Sequence, residues 1–316
     1  MSDSYQPAQY TTVQDGAAFN NAVVTQPYEP GSDIKTLTMA VGVDKGVVQP
    51  DSTFVNTDSI KVEDRTISNA TKGQTGTITM QTALNYSLNT GMVTVAQRLG
   101  DGKSINLQAR NTMYDYFHNR FGLGVKTGIE VSGEQAGTII PPTSQEGNAV
   151  RYSNMSFGQG MDLTMVQVAS AFCAVVNGGD YYKPTVIAGT MNDEKTKFAE
   201  APIASPRAGT VSKDTSEKMH KMIREARTKF YGKDDKPGFD IGGKTGTSQT
   251  IENGKYVDNQ TDGTYLGYGG DGTPRYVIMV QVSGKGMNLQ GNKDAMPIFT
   301  DISNWMIDYL KLQPKG

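Results

Sequence analysis

Apolar residues recur at helical spacing through most of the chain and switch to alternation only near its end. Pro30-Gly31-Ser32 precedes Ile34, Leu37 and Val41, an i, i+3, i+7 stripe that predicts a helix opening near Ser32. A second helix is predicted from Thr79, with Met80, Ala83 and Leu84 inward, stopping before Asn89-Thr90-Gly91. Met92, Val95, Ala96 and Leu99 give a third, closed by Gly100, and Leu107, Tyr114 and Phe117 a fourth. Asp162 reads as the N-cap of a strongly apolar helix carrying Met165, Val166, Ala169, Phe172, Cys173 and Val176, ended by Gly178-Gly179. Another spans about Asp214 to Phe230, with Met219, Met222, Ile223 and Ala226 packed inward.

The last quarter changes period. Lys244–Thr250 is Gly/Thr-rich and strand-like; Thr264–Tyr268 and Tyr276–Ser283 are short β-type runs around a Gly-rich turn, a hairpin pattern. A closing amphipathic helix, Met296 to Leu312, holds the single tryptophan, Trp305. Residues 1–27 are polar, show no sustained period and read as an irregular leader. Residues 28–316 read as one α/β (α+β) domain: an antiparallel sheet flanked by helices, with an all-helical subdomain over about 45–230 and the sheet and last helix over about 238–316.

Composition narrows the function. Thirty basic and thirty-two acidic residues leave a net charge of −2, without the basic excess of a nucleic-acid binder. No apolar run reaches about 18 residues, so nothing here spans a bilayer as a helix. The single cysteine, Cys173, is expected to be a buried small hydrophobe, and His118 and His220 fill no metal site between them, so no metal and no cofactor are expected. Glycine, 36 of 316 residues, exceeds the usual share of about 7%, predicting tight turns and close backbone approaches. Lys233-Asp234-Asp235-Lys236 reads as a solvated loop. The Gly-rich stretch between Lys244 and Tyr265 reads as a loop long enough to move over a site, and Tyr256, Tyr265 and Tyr268 are candidates to line a groove beside it.

Two glycine motifs are misleading. Gly238 to Thr245 fits G-x-x-x-x-G-K-[ST], but no apolar strand precedes it and Gly246-Thr247-Ser248-Gln249-Thr250 follows in place of a helix. Gly267 to Gly272 fits G-x-G-x-x-G, yet proline and a strand follow, as in a hairpin turn. Three other motifs occur in one order: Ser32-Asp33-Ile34-Lys35 (S-x-x-K) at a helix start, Ser87-Leu88-Asn89 (S-x-N) where a helix breaks, and Lys244-Thr245-Gly246-Thr247 (K-T-G-T) on a strand. Each alone is common; their joint order is not.

In these residues the chain resembles the penicillin-binding protein and serine β-lactamase superfamily. Tyr28-Glu29-Pro30-Gly31-Ser32, Ser156-Phe157-Gly158-Gln159-Gly160, Gly178-Gly179, Tyr182-Lys183-Pro184 and Gly267-Tyr268 followed by Pro274-Arg275-Tyr276 look like the large transpeptidases. The likeness covers about residues 19–312.

A serine hydroxyl needs a base, and Lys35 three residues on lies on the same helix face as Ser32. To act as that base it must be neutral; burial and the second cation, Lys244, both push in that direction. Ser87 can relay a proton and Asn89 can orient a substrate amide. The amides of Ser32 and Thr247 suit an oxyanion hole, and Thr245, Gly246 and Thr247 with Lys244 suit a terminal carboxylate. The resemblance implies a peptidoglycan D,D-transpeptidase: acylation by the D-Ala-D-Ala end of a stem peptide, transfer to a neighbouring amine, and trapping by β-lactams. It also implies an extracytoplasmic site of action, a membrane anchor outside this chain, cell-wall synthesis partners, and no nucleic acid.

The alternatives are a D,D-carboxypeptidase, a β-lactamase and a non-catalytic penicillin-binding sensor domain. The lactamase reading lacks a Glu-x-x-x-Asn segment, since Glu146-Gly147-Asn148 does not match, and 157 residues between the second and third motifs is long for it. A sensor would show a damaged motif. The family's sheet has five strands, two of them ahead of S-x-x-K, whereas residues 1–31 hold no credible pair. A three-stranded sheet is therefore expected.

Overall fold

A computed structural model describes residues 11–12, 19–252 and 255–315, the backbone alone over 251–252 and 255. In chain order the elements are α1 (Ala22–Thr25), α2 (Lys35–Asp44), β1 (Thr53–Asn56), β2 (Ser59–Val62), β3 (Arg65–Ser68), β4 (Gly76–Thr79), α3 (Met80–Asn85), α4 (Asn89–Arg98) and α5 (Leu107–Tyr114). There follow α6 (Ala149–Met155), α7 (Met165–Val176), β5 (Gly189–Met191), β6 (Phe198–Glu200), α8 (Lys213–Tyr231), β7 (Asp240–Glu252), β8 (Lys255–Gly270), β9 (Pro274–Val282) and α9 (Met296–Tyr309).

α2 is the central helix. Every residue from Lys35 to Val43 is buried, so it is covered on all sides, as its nearly continuous apolar composition requires. The large core gathers Leu37, Met39 and Val41 of α2, Met92 of α4, Phe172 of α7, Met219 of α8, and Leu266 and Tyr268 of β8. A second cluster, with Tyr265, Phe299 and Ile307, fills the other face of the sheet beneath α9. The sheet is thus a layer between the helical body and α9. Its antiparallel order β7-β8-β9 is set by a long hairpin running from Asp240 opposite Gly270 to Glu252 opposite Lys255.

The three strands and closing helix appear where expected. Among the described residues no strand from 19–31 joins this sheet; Tyr28 makes only an isolated bridge to Leu163. The remainder of the leader lies outside the described residues, apart from Thr11 and Thr12, and its residues 22–25 form one helical turn.

Several expectations need correcting. The 45–230 segment is not all helical: it carries the antiparallel pairs β1-β4, β2-β3 and β5-β6. These strands are three or four residues long, too short for alternation to stand out in the sequence. Thr164, not Asp162, is the N-cap of α7, because Asp162 is held two residues earlier in a backbone bridge to Thr138. Leu107 opens α5 but is half exposed. The stretch between Lys244 and Tyr265 is paired strand, not a loop, over its described residues. Asp235 is not solvated: it pairs with Arg227. Cys173 is only partly buried, though its surroundings push the thiol up to about 11.

Candidate active site

Ser32 lies in a 3-10 turn, Gly31–Ile34, that feeds α2, so Lys35 is the first residue of the helix proper. Two backbone contacts fix the turn. Gly31 N–H donates to Gly158 O at 2.9 Å, and on its other side Gly31 abuts the Thr247 carbonyl so closely that a Cβ would stand 2.9 Å from it. Gly158 allows no side chain either, since a Cβ would sit 1.9 Å from Gly31 O. Thr38 of α2 anchors the same segment by donating to Ser156 O at 2.7 Å. Ser32, half-buried, is therefore wedged between the Ser156–Gly160 segment and β7.

Ser87 is the middle residue of the gap between α3 and α4, at φ +56°, a left-handed conformation that a non-glycine residue adopts at a cost of about 1–3 kcal/mol. Backbone bonds from Ser87 N–H to Leu84 O (3.2 Å) and from Leu88 N–H to Ala83 O (2.9 Å) flank it, and the Leu88 side chain is fully buried. The strain turns both Ser87 oxygens toward the lysines. Lys35 Nζ donates to Ser87 O at 2.6 Å and to Ser87 Oγ at 3.1 Å; Lys244 Nζ donates to Ser87 Oγ at 2.8 Å and to Thr245 O at 3.0 Å. Both lysines are buried, at 1% and 4% exposure. Burial, then the charge of Lys244, holds the Lys35 amine well below its ordinary range. Burial also lowers Lys244, opposed by the nearby Asp33 carboxylate.

Asn89 begins α4, and its Nδ2 donates to Ser68 O at 2.9 Å, which fixes the orientation of the amide. A groove of about 560 Å³ is lined by Ser32, Lys35, Ser87, Asn89 and Lys244–Thr247. All eight residues singled out from the three motifs thus meet in one groove. β7 is an edge strand of the sheet, and that edge faces the turn carrying Ser32.

Tyr265 and Tyr268 do not line the groove. Both are completely buried, on opposite faces of the sheet; their hydroxyls meet Arg227 (2.7 Å) and His220 O (2.8 Å). Tyr256 is half exposed and donates to Glu29 at 3.1 Å beside a separate cavity. Neither histidine joins the groove: His118 bonds Leu123 O, and His220 packs on Tyr268. Among the described residues no cluster of metal-ligating side chains occurs.

Sequence reasoning missed the support of the S-x-N turn. Thr90 N–H donates to Asn69 Oδ1 (3.0 Å), Thr90 Oγ1 to Asn56 Oδ1 (2.8 Å), and Asn69 Nδ2 to Asn56 Oδ1 (3.2 Å), all buried. These partners lie up to 34 residues apart, and no local pattern signals them. It also missed Phe230, Tyr231 and Asn292, which reach the groove from the end of α8 and the turn before α9.

The chain is 28% identical to stage V sporulation protein D of Bacillus subtilis, covering 98% of this chain and 47% of that protein. It is 28% identical to a probable peptidoglycan D,D-transpeptidase PenA of Neisseria flavescens, covering 99% and 71%. The crystal structure of penicillin-binding protein 3 of Mycobacterium tuberculosis complexed with aztreonam superposes with a TM-score of 0.80 at 26% identity, covering 94% of this chain and 66% of that one. The chain spans about half the length of the Bacillus and mycobacterial relatives it matches. No helix among the described residues is long and apolar enough to cross a membrane. Residues 1–304 fit the penicillin-binding protein transpeptidase domain, and to that family the chain belongs.

Proposed function

We propose that the chain is the acyl-transferring domain of a peptidoglycan D,D-transpeptidase, with Ser32 as nucleophile. The observation that carries this reading is the bridge Lys35–Ser87–Lys244, two buried amines on one hydroxyl, set beside Ser32. A neutral Lys35 amine has two hydrogens and one lone pair. Its two bonds to Ser87 use both hydrogens and leave the lone pair to take the Ser32 proton. The freed Ser32 Oγ attacks the carbonyl carbon of the penultimate D-Ala. The proton returns through Ser87 to the leaving amine of the terminal D-Ala, giving an acyl-enzyme. An amine of a second stem peptide then attacks that ester, yielding the cross-link and restoring Ser32.

Each remaining residue has a place in this scheme. The Ser32 and Thr247 amides stabilise the tetrahedral oxyanion, each donor worth about 2.7–4 kcal/mol. Asn89 orients the donor amide. Lys244, Thr245, Gly246 and Thr247 hold the terminal carboxylate, and the donor lies along the free edge of β7 as an added strand. A β-lactam presents the same carbonyl and carboxylate and stays on Ser32. Such substrates lie outside the cytoplasmic membrane, and the Neisseria relative, a probable peptidoglycan D,D-transpeptidase, supports a role in cell-wall synthesis.

Intact mass after hours with benzylpenicillin, beside Ser32→Ala, tests the reading. A stable adduct of one penicillin, absent from the variant, is expected. An adduct that clears within seconds would make the protein a β-lactamase, and none at all would make it a non-catalytic domain.

A further inference from the structure

One end of the groove has no task in the scheme above. The reacting carbonyl lies there at the Ser32 and Thr247 amides and the terminal carboxylate at Lys244 and Thr245. The departing D-Ala therefore points along β7 toward the Asp240 end of the strand. At that end α8 packs against β7, with Arg224 on Asp240 at 2.9 Å, and Ala226, Phe230 and Tyr231 line the groove together with Tyr86, which closes α3. The Ser156–Gly160 segment lies at the opposite end, where Gly31 bonds Gly158 and abuts the Thr247 carbonyl.

Local structure builds this wall. Ala226 and Phe230 stand four residues apart on α8 and share a face, and the small Ala226 leaves a hollow beside the larger ring. The Phe230 ring meets Tyr86 edge-on at 5.3 Å and Tyr231 at 6.1 Å, and it is still 42% exposed. The trough between the rings already holds a chain. Lys229 places its Nζ 5.2 Å from the Tyr86 ring centre and 6.0 Å from that of Phe230. Aromatic faces attract an ammonium, and the methylenes behind it pack as apolar surface. What rests there is thus an amine at the end of a methylene chain.

We infer that the trough between Tyr86 and Phe230 is the acceptor subsite: it seats the second stem peptide by an amine carried at the end of an alkyl side chain, with Lys229 as its occupant until the acceptor arrives. The inference rests on the transpeptidase reading and adds to it the class of acceptor. The donor's acyl part covers the Thr247 end, so the attacking amine enters from the side that D-Ala vacates. An amine on glycine has no such chain to bury, whereas a lysine-like side chain does. From the trough the neutral amine bonds to the ester carbonyl carbon and the ester C–O bond breaks. The one proton that the nitrogen sheds returns to Ser32 Oγ by way of Lys35. Tyr86 precedes Ser87, so the inner end of the trough opens beside that relay.

The test follows the acyl-enzyme formed from N-benzoyl-D-alanyl thioglycolate as it divides between water and two acceptors, Nα-acetyl-lysinamide and glycinamide. Scoring amide against acid product removes any effect on acylation. Phe230→Ala is expected to raise the half-saturating concentration of the lysine derivative about tenfold, the worth of roughly two buried methylenes, and to leave glycinamide unchanged. Lys229→Ala empties the trough and should lower the lysine value about threefold. An equal change for both acceptors in Phe230→Ala, or none, overturns the inference. So does a Lys229→Ala variant that binds the lysine derivative as poorly as Phe230→Ala, or a wild type that transfers only to glycinamide or only to water. A wild type that never acylates defeats the transpeptidase reading instead. Saturation transfer from protein to the lysine methylenes by proton NMR then decides on the trough: signal in the wild type that is lost in Phe230→Ala supports it, and equal signal in both overturns it.

Discussion

Arg227 and Lys35 each bury a long cationic side chain, to 0% and 1% exposure, and the fold uses them in opposite ways. Around Arg227 the charge is answered in full. Its guanidinium donates to Asp235 at 2.9 and 3.0 Å, to Tyr265 Oη at 2.7 Å and to Thr300 Oγ1 at 2.9 Å, and it lies over the Phe299 ring. Burial works against that charge, but the Asp235 bonds outweigh it and the proton is held more tightly. Around Lys35 the partners are neutral oxygens of Ser87, and the charge that acts on it is that of another cation, Lys244. Equal burial therefore makes a structural rivet in one place and a basic amine in the other. Pairing, not depth, decides which.

The comparison breaks most sharply at Lys35. Lys35→Met is expected to lose about 10³-fold or more in benzylpenicillin acylation, the range of a positioned general base, with little change in melting temperature, because relief of a buried amine beside a like charge offsets the two hydrogen bonds it gives Ser87. In the wild type the rate climbs as pH rises through the lowered Lys35 value and levels well before pH 10; a rate still climbing there would show an ordinary lysine. Arg227→Met should do the reverse. Asp235 is left buried without its cation, so stability falls by about 3–5 kcal/mol in denaturant titration, while acylation per folded molecule is kept. The smallest effect is expected at Thr90→Val, which leaves Asn56 and Asn69 short of a donor. About 1–2 kcal/mol of stability should go, with a modest fall in acylation as the S-x-N turn loosens.

What was legible in the sequence was whatever local period and motif spacing encode. The apolar stripes of α2, α4 and α8 reach the core as read, whereas α7 faces it with Val168, Ala171, Phe172, Val175 and Val176 and leaves Met165, Ala169 and Cys173 partly exposed; Thr79 caps α3 by accepting from Thr82 N–H. The hairpin of β8 and β9 turns at the Gly-rich segment, and the eight motif residues meet. What failed was read from composition without register. Tyr265 and Tyr268 looked like groove residues because they flank the site in sequence. Pairing opposite Thr245 and Gly242 places them on opposite faces of the sheet, each sealed in its own core.

The sequence by itself thus determined the helices, the closing hairpin and the identity of the reacting groups, because those depend on neighbours a few residues away. Tertiary structure alone decided their chemistry. Ser87 stands 52 residues from Lys35 and 157 from Lys244, and only the folded chain brings two amines to one hydroxyl. Whether a buried lysine is a base or a counter-ion depends on which charges lie within a few ångströms, and Coulomb attraction follows distance in space, not along the chain.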